Sequence, residues 1–207
     1  MKKLIALIVI GIAAYGAYKY RESVAAKKGA FDEQGNPTVI VFVGRGRAEV
    51  SRELATTLAQ RRIDYEVVEF AADTESRYGV RGYPTTLVGN RKVEGDDIDR
   101  IVSLLAETYG DRVLTRLEQL AMAGHFDADG RPVVVLYGTQ WCPYCTRLRT
   151  AFAESKIAFR NVDIDTSPEG KQAFEALGGR GVPLVYVGYR RFGNDEAGIK
   201  AAIADLM

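Results

Sequence analysis

A stretch of sequence that occurs twice in one chain tends to fold the same way twice, and this 207-residue chain contains such a stretch. Phe31-Asp32-x-x-Gly35-x-Pro37 returns 95 residues later as Phe126-Asp127-x-x-Gly130-x-Pro132, each time ahead of an apolar run. With one residue of slip, Leu54, Ile63, Tyr65, Val68 and Glu69 align with Leu148, Ile157, Phe159, Val162 and Asp163. Arg81-Gly82-Tyr83-Pro84 then matches Arg180-Gly181-Val182-Pro183, and Val88-Gly89 matches Val187-Gly188. The register outlasts a whole helix and strand, which predicts two copies of one small unit. In each copy the run 38–43 or 133–137 reads as a buried strand, followed by a helix with apolar residues at helical spacing, such as Leu148, Ala151 and Phe152. Residues 157–164 alternate like a strand, and 181–188 read as another, entered through Pro183 because a proline is confined to a strand's start. Each unit is therefore β-α-β, a helix, a strand and a last helix, at Ile98–Tyr109 in copy one and 197–206 in copy two. Residues 113–122 read as a helical connector. The expected organisation is 1–30, a hydrophobic segment with a basic flank; 31–110, the first unit; 111–130, a helical linker; and 131–207, the second unit.

The net charge of +1 hides a division, because residues 1–30 carry six Lys/Arg against Glu22 alone. The rest of the chain is then slightly acidic, which gives no electrostatic case for nucleic acid. Lys2 and Lys3 precede an uncharged apolar run over 4–18, and Lys19 and Arg21 follow it. That is the pattern of an export signal or an anchor. Tyr15 and Tyr18 crowd the place where a signal peptide would need small residues, so the expectation is an uncleaved N-terminal hydrophobic helix in the membrane. The reading leans towards an exported, periplasmic C-terminal part and leaves the cytoplasmic face open, because Lys/Arg lie on both sides of the run.

Cys142 and Cys145 are the only cysteines and His125 the only histidine, which excludes a disulfide-dense scaffold and leaves too few Cys and His for a closed tetrahedral zinc site. No metal is expected. The pair, in Trp141-Cys142-Pro143-Tyr144-Cys145, falls where the first strand of copy two gives way to its helix. There the helix N-terminus favours a thiolate at Cys142, with Arg147 and Arg149 adding positive charge. Cys145, one turn on, can attack a sulfur bound to Cys142, so the pair can cycle between dithiol and disulfide. Pro143 suits a first-turn position. Copy one aligns Ala48 and Ser51, or Arg47 and Val50, with the cysteines and so has no thiol. His125, in a polar linker, reads as exposed.

Residues 132–206 resemble the glutaredoxin branch of the thioredoxin superfamily. The likeness rests on Tyr137-Gly-Thr-Gln-Trp-Cys-Pro-Tyr-Cys145, which looks like the dithiol active-site strand and turn, and on Gly181-Val182-Pro183, which looks like the segment holding a cis-proline. Tyr78-Gly-Val-Arg-Gly-Tyr-Pro-Thr85 is similar to the thioredoxin-type stretch around that proline. The implied fold is α/β, two tandem thioredoxin-like domains of glutaredoxin type, each a small mixed sheet flanked by helices. The implied activity is thiol-disulfide exchange, with Cys142 as nucleophile and Cys145 as resolving thiol. By the same resemblance glutathione is reductant or co-substrate, and disulfide-bearing or glutathionylated proteins are partners. Val182 would offer its backbone to glutathione beside Pro183, with Trp141 and Tyr144 flanking the site. Gly193, Asn194 and Asp195 would hold the γ-glutamyl end, Asn194 replacing a glycine and suited to a positive φ. The cysteine-free copy is expected to be either a spacer or a site for an extended peptide. The rival reading is a tethered binding protein, through partner docking or an iron–sulfur cluster; C-P-Y-C argues against the cluster, since cluster carriers of this family typically have C-G-F-S.

Overall fold

The computed structural model describes residues 29–46 and 49–205. The apolar run 4–18 with its anchor and signal readings, positions Arg47 and Ala48, and the last residue of the expected 197–206 helix lie outside these. Among the described residues no helix is long and apolar enough to cross a membrane.

The order of elements is β1 (Val39–Val43), α1 (Arg52–Gln60), β2 (Glu66–Glu69), α2 (Thr74–Tyr78), β3 (Thr85–Val88), β4 (Arg91–Glu94) and α3 (Ile98–Tyr109). Then come α4 (Arg116–Met122), β5 (Val134–Gly138), α5 (Pro143–Glu154), β6 (Phe159–Asp163), α6 (Pro168–Ala176), β7 (Leu184–Val187), β8 (Arg190–Phe192) and α7 (Glu196–Ala204). Two four-stranded sheets result, ordered β2-β1-β3-β4 and β6-β5-β7-β8. In each the first two strands run parallel and the rest antiparallel, with Val41 opposite Val67 and Thr86, and Leu136 opposite Asn161 and Val185. The central strands, Val-Ile-Val-Phe-Val and Val-Val-Leu-Tyr-Gly, are buried along their whole length. Such unbroken apolar runs can only sit with cover on both sheet faces.

The twice-used Phe-Asp-x-x-Gly-x-Pro motif builds the same loop twice. Asp32 Oδ1 accepts the N–H of Asn36 at 2.7 Å and Asp127 Oδ1 that of Arg131 at 2.8 Å, while Gly35 and Gly130 take φ of 84° and 75°. Phe31 bridges Pro37, and Phe126 bridges Pro132, so each loop closes on itself before the first strand.

Each unit has one strand more than the sequence pattern indicates. β4 and β8 are edge strands of four and three residues, Arg-Lys-Val-Glu and Arg-Arg-Phe, whose charged side chains conceal any alternation. Charged, short strands are the usual device for keeping a sheet edge from pairing with another chain. Here the edges are also covered. Helix α3 packs against β3 and β4 of its own sheet and against β8 of the other. Glu107 on α3 pairs with Arg91 of β4 and, at 3.1 Å, with Arg190 of β8. Asp99 faces Arg191 at 3.5 Å, and the Ser103 hydroxyl donates to the Tyr189 carbonyl at 2.5 Å while accepting the Arg191 N–H at 3.1 Å. One side chain thus satisfies two main-chain groups at the entry to an edge strand.

The connector, too, differs from its expectation. Val113 and Leu114 are buried ahead of the helix, which begins at Thr115 with a capping box to Glu118. Helix α4 packs on α6, and Glu118 also pairs with Arg61 at the end of α1. The main buried cluster runs from Val41, Leu54 and Ile101 through Met122 to Tyr137, Phe174 and Tyr186, so the two sheets share one core. Ser103→Ala is therefore expected to lower stability by about 1–3 kcal/mol, since it leaves the Tyr189 carbonyl and Arg191 N–H unpaired at this seam. A urea unfolding midpoint that does not move would contradict this.

Candidate active site at Cys142 and Cys145

Strand β5 ends at Gly138, where a side chain has no room: a Cβ there would lie 2.9 Å from Cys145 Sγ and 3.2 Å from its Cβ. Thr139, Gln140 and Trp141 then carry the chain over the sheet's end, and Cys142 is the N-cap of α5 with Pro143 at its first position. A first-turn proline gives up no helical hydrogen bond. Cys142 Sγ accepts the N–H of Cys145 at 3.1 Å and the two sulfurs are joined in a disulfide, their Cα atoms 5.3 Å apart. Cys142 is thus held where the helix presents unpaired N–H groups and its positive end, which favours negative charge on that sulfur when the bond opens. Cys145 is fully buried and Cys142 retains 3% of its surface. Cys142 is thus the outer sulfur of the pair and Cys145 the inner one. Gly138→Val is expected to cost about 1–3 kcal/mol, the scale of overpacking, and to unseat Cys145. Loss of redox turnover with an unchanged unfolding midpoint would separate the two effects; no loss of either would refute the contact.

The surroundings divide the residues singled out from sequence. Trp141 is 72% exposed and its indole N–H donates to Asp165 at 2.8 Å, while Gln140 is tied to Asp163 at 2.9 Å. Tyr144 is half exposed with the Arg147 guanidinium over its ring. Both rings thus stand on the surface beside the disulfide. Arg149 is committed to the loop, donating to the Thr139 carbonyl and Thr146 hydroxyl at 3.2 and 3.1 Å. The Val182–Pro183 bond is cis and leads straight into β7, which pairs with β5, so Pro183 lies at the same sheet end as the disulfide. Val182 has no hydrogen-bond partner for its main-chain N–H or C=O among the described residues.

Asn194 and Gly193 have no positive φ, so the turn before α7 needs no left-handed residue and Asn194 carries no conformational cost there. Asn194 thus does not take the positive φ for which it looked suited. Asp195 caps α7, accepting the Gly198 N–H at 2.9 Å. A cavity of about 650 Å³ brings Pro183, Gly193 and Asp195 together with Arg180. Its other wall is copy one: Glu53, Asp96, Asp97 and Arg100. That wall was missed from sequence. A signal for it existed, because Gly95-Asp96-Asp97 precedes α3 as Gly193-Asn194-Asp195 precedes α7, and Asp97 caps α3 as Asp195 caps α7.

His125 is not exposed, as its polar neighbours suggest, but fully buried. Nδ1 faces the Gly188 carbonyl at 3.2 Å, which can only accept, so Nδ1 carries the proton and Nε2 accepts from the Tyr137 hydroxyl at 2.9 Å. Burial holds its pKa down to about 4 and pushes that of Tyr137 up.

In copy one, buried Leu54 and Leu58 correspond to Leu148 and Phe152 of copy two. Helix α1 has nine residues where α5 has twelve, and it starts one turn later in that register. Residues 49–51, aligned with the first turn of α5, are not helical, and Ser51, aligned with Cys145, caps the shorter helix through a 3.3 Å bond from the Leu54 N–H. The Tyr83–Pro84 bond is cis, like its counterpart.

The glutaredoxin family profile matches residues 134–192. The Neurospora crassa protein disulfide-isomerase erp38 is 26% identical over 89% of this chain and 60% of its own length, so the chain spans about three fifths of that relative. A Pseudomonas aeruginosa glutaredoxin is 32% identical over 30% of this chain and 75% of its own. The crystal structure of a wheat glutaredoxin is 22% identical, with a TM-score of 0.34, over 42% of this chain and 94% of that one. With a helix-capping cysteine pair, a cis-proline at the same sheet end and a relative matched over three quarters of its length, this chain belongs to the glutaredoxin family of thiol-disulfide oxidoreductases.

Proposed function

We propose that the chain reduces protein disulfides or glutathionylated thiols through Cys142 and Cys145, recharged by glutathione or by a dithiol partner. The observation that carries this is the position of Cys142, at once the cap of α5 and the outer sulfur of the pair. The Cys142 thiolate attacks a substrate disulfide, one sulfur leaves as a thiolate, and a mixed disulfide remains on Cys142. Cys145 then attacks Cys142 Sγ, releasing the second substrate thiolate and forming the Cys142–Cys145 bond. Two molecules of glutathione, or one dithiol, return the pair to thiols and leave as a disulfide. With a glutathionylated substrate, a second glutathione resolves the mixed disulfide instead. Support for glutathione comes from the cavity that joins Pro183, Gly193 and Asp195, with Val182's main-chain groups unpaired beside it. The uncharged apolar run over residues 4–18, between Lys3 and Lys19, supports a membrane tether.

The test is turnover of a small glutathione mixed disulfide by the full chain. Saturable dependence on glutathione is expected. If thioredoxin-type dithiols reduce the pair while glutathione does not, the partner is a dithiol; if neither does, the redox reading fails.

A further inference from the structure

The helix start that serves Cys142 does not serve Cys145. The Cys145 N–H is given to Cys142 Sγ, and the Cys145 side chain is fully buried, a setting that raises a thiol's pKa. A resolving sulfur must still become a thiolate before it can attack. Arg149 lies four residues on in α5, so the two side chains share one face of the helix. A Cβ at Gly138 would meet Cys145 Sγ at 2.9 Å and Arg149 Nη1 at 3.8 Å, which places sulfur and guanidinium around the same point. The charge of Arg149 is uncompensated. Its acceptors are the neutral Thr139 carbonyl, Thr146 hydroxyl and Asn161 side-chain oxygen, at 3.2, 3.1 and 3.4 Å, and it makes no ion pair among the described residues. Helix α5 packs on β5 and β7, which carry no charged residue, and on β6 and α7. The charges of those last two are engaged elsewhere. Glu196 and Lys200 pair with each other, Asp195 caps α7, Asp163 accepts from Gln140, and Arg160 reaches the Gly124 carbonyl from the opposite face of β6. On α5 itself the Arg147 guanidinium lies over the Tyr144 ring, and Glu154 stands at the far end. Arg149 is left as the cation beside the buried sulfur.

We propose that Arg149 is the positioning residue of the resolving step, its guanidinium stabilising the Cys145 thiolate that attacks Cys142 Sγ. Cys145 loses its proton to solvent and its sulfur bonds to Cys142 Sγ. The bond from Cys142 to the substrate sulfur breaks, and the substrate leaves as a thiolate. A fixed cation acting through a buried interior is screened little, so it offsets the burial that disfavours the thiolate. The two sulfurs are thus activated by different groups, Cys142 by the helix start and Cys145 by Arg149. This role presupposes the thiol-disulfide reading above.

The reduced full chain is mixed rapidly with one equivalent of dipyridyl disulfide. Attack by Cys142 releases one pyridine thione and closure of the Cys142–Cys145 bond releases a second, so the two steps are read as two phases of absorbance. Arg149→Gln is expected to change the first phase little and to slow the second about tenfold at pH 7, the effect of raising the Cys145 pKa by about one pH unit. Its rate profile should move to higher pH, and the rates of the two chains should converge once Cys145 is ionised in both. Arg149→Lys should restore most of the rate. Asn161→Asp leaves Arg149 in place and sets a carboxylate where the side-chain oxygen now accepts at 3.4 Å, so it should slow the second phase in the same pH-dependent way without freeing the loop. A second phase unmoved by Arg149→Gln or by Asn161→Asp, a loss of the same size at every pH, or equal slowing of both phases would each overturn the proposal. The last two would mark Arg149 as a brace for the loop that carries Thr139. A parent chain that shows no first phase would instead overturn the thiol-disulfide reading.

Discussion

Cys142→Ser is expected to remove disulfide turnover down to the uncatalysed background, a loss on the order of 10³-fold or more, because a serine hydroxyl supplies no thiolate at neutral pH. Cys145→Ser should behave differently with different substrates. Its sulfur is fully buried under Cys142, so it can reach only what is already bonded there. Turnover of a glutathionylated small thiol, which glutathione itself can resolve, should survive Cys145→Ser. Turnover of a protein disulfide should fall sharply, with the mixed disulfide at Cys142 accumulating as a trapped, gel-resolvable adduct. The pair of variants is decisive. Equal loss in both, on both substrates, would mean that Cys145 acts in the first attack, which the burial order of the two sulfurs does not allow. Full activity in Cys142→Ser would place the chemistry elsewhere.

The features legible in the sequence were those with local physical causes. Apolar runs at 38–43 and 133–137 became β1 and β5 because a fully buried strand needs nothing from its neighbours to be recognised. The cysteine pair's place at a strand-to-helix junction followed from the same pattern, and Pro143 marked the helix's first turn. The proline segments could be paired by the repeat alone, and both proved to be cis. What stayed hidden was whatever depends on the two copies meeting. Arg-Lys-Val-Glu and Arg-Arg-Phe give no strand signal, yet α3 covers both edges through Ser103 and Glu107. Helix α4 reads as a connector from sequence because its amphipathic period says only that one face is buried. That face proved to rest on α6, inside a core common to both sheets. The wall of the cavity opposite Pro183 belongs to the same category. Asp96, Asp97 and Arg100 look like solvated charges at a helix start until the other copy is placed against them.

His125 is the clearest instance, and it carries the largest expected change in stability. Its neighbours in sequence are polar, but its ring lies between Tyr137 and Tyr186, with centroids at 5.8 and 4.8 Å, and Arg160 adds positive charge nearby. Buried with no carboxylate facing it, the imidazole stays neutral down to about pH 4 in the folded chain, whereas in the unfolded chain it takes a proton near its ordinary 6.5. The sign follows directly. Above pH 6.5 both states hold a neutral ring and its contribution is complete. As pH falls from 6.5 towards 4 the unfolded chain binds a proton that the folded chain refuses, and stability is lost. The difference in pKa corresponds to about 3 kcal/mol between those limits. His125→Phe should be less stable than the parent at pH 7, by about 1–3 kcal/mol, because the Tyr137 hydroxyl and Gly188 carbonyl lose their partner. Having nothing to protonate, it should lose less on acidification, so the two urea midpoints should converge between pH 6.5 and 4. A gap that keeps its pH 7 size at pH 4.5 would show that the ring titrates alike in both states, and that its burial costs the folded chain no proton.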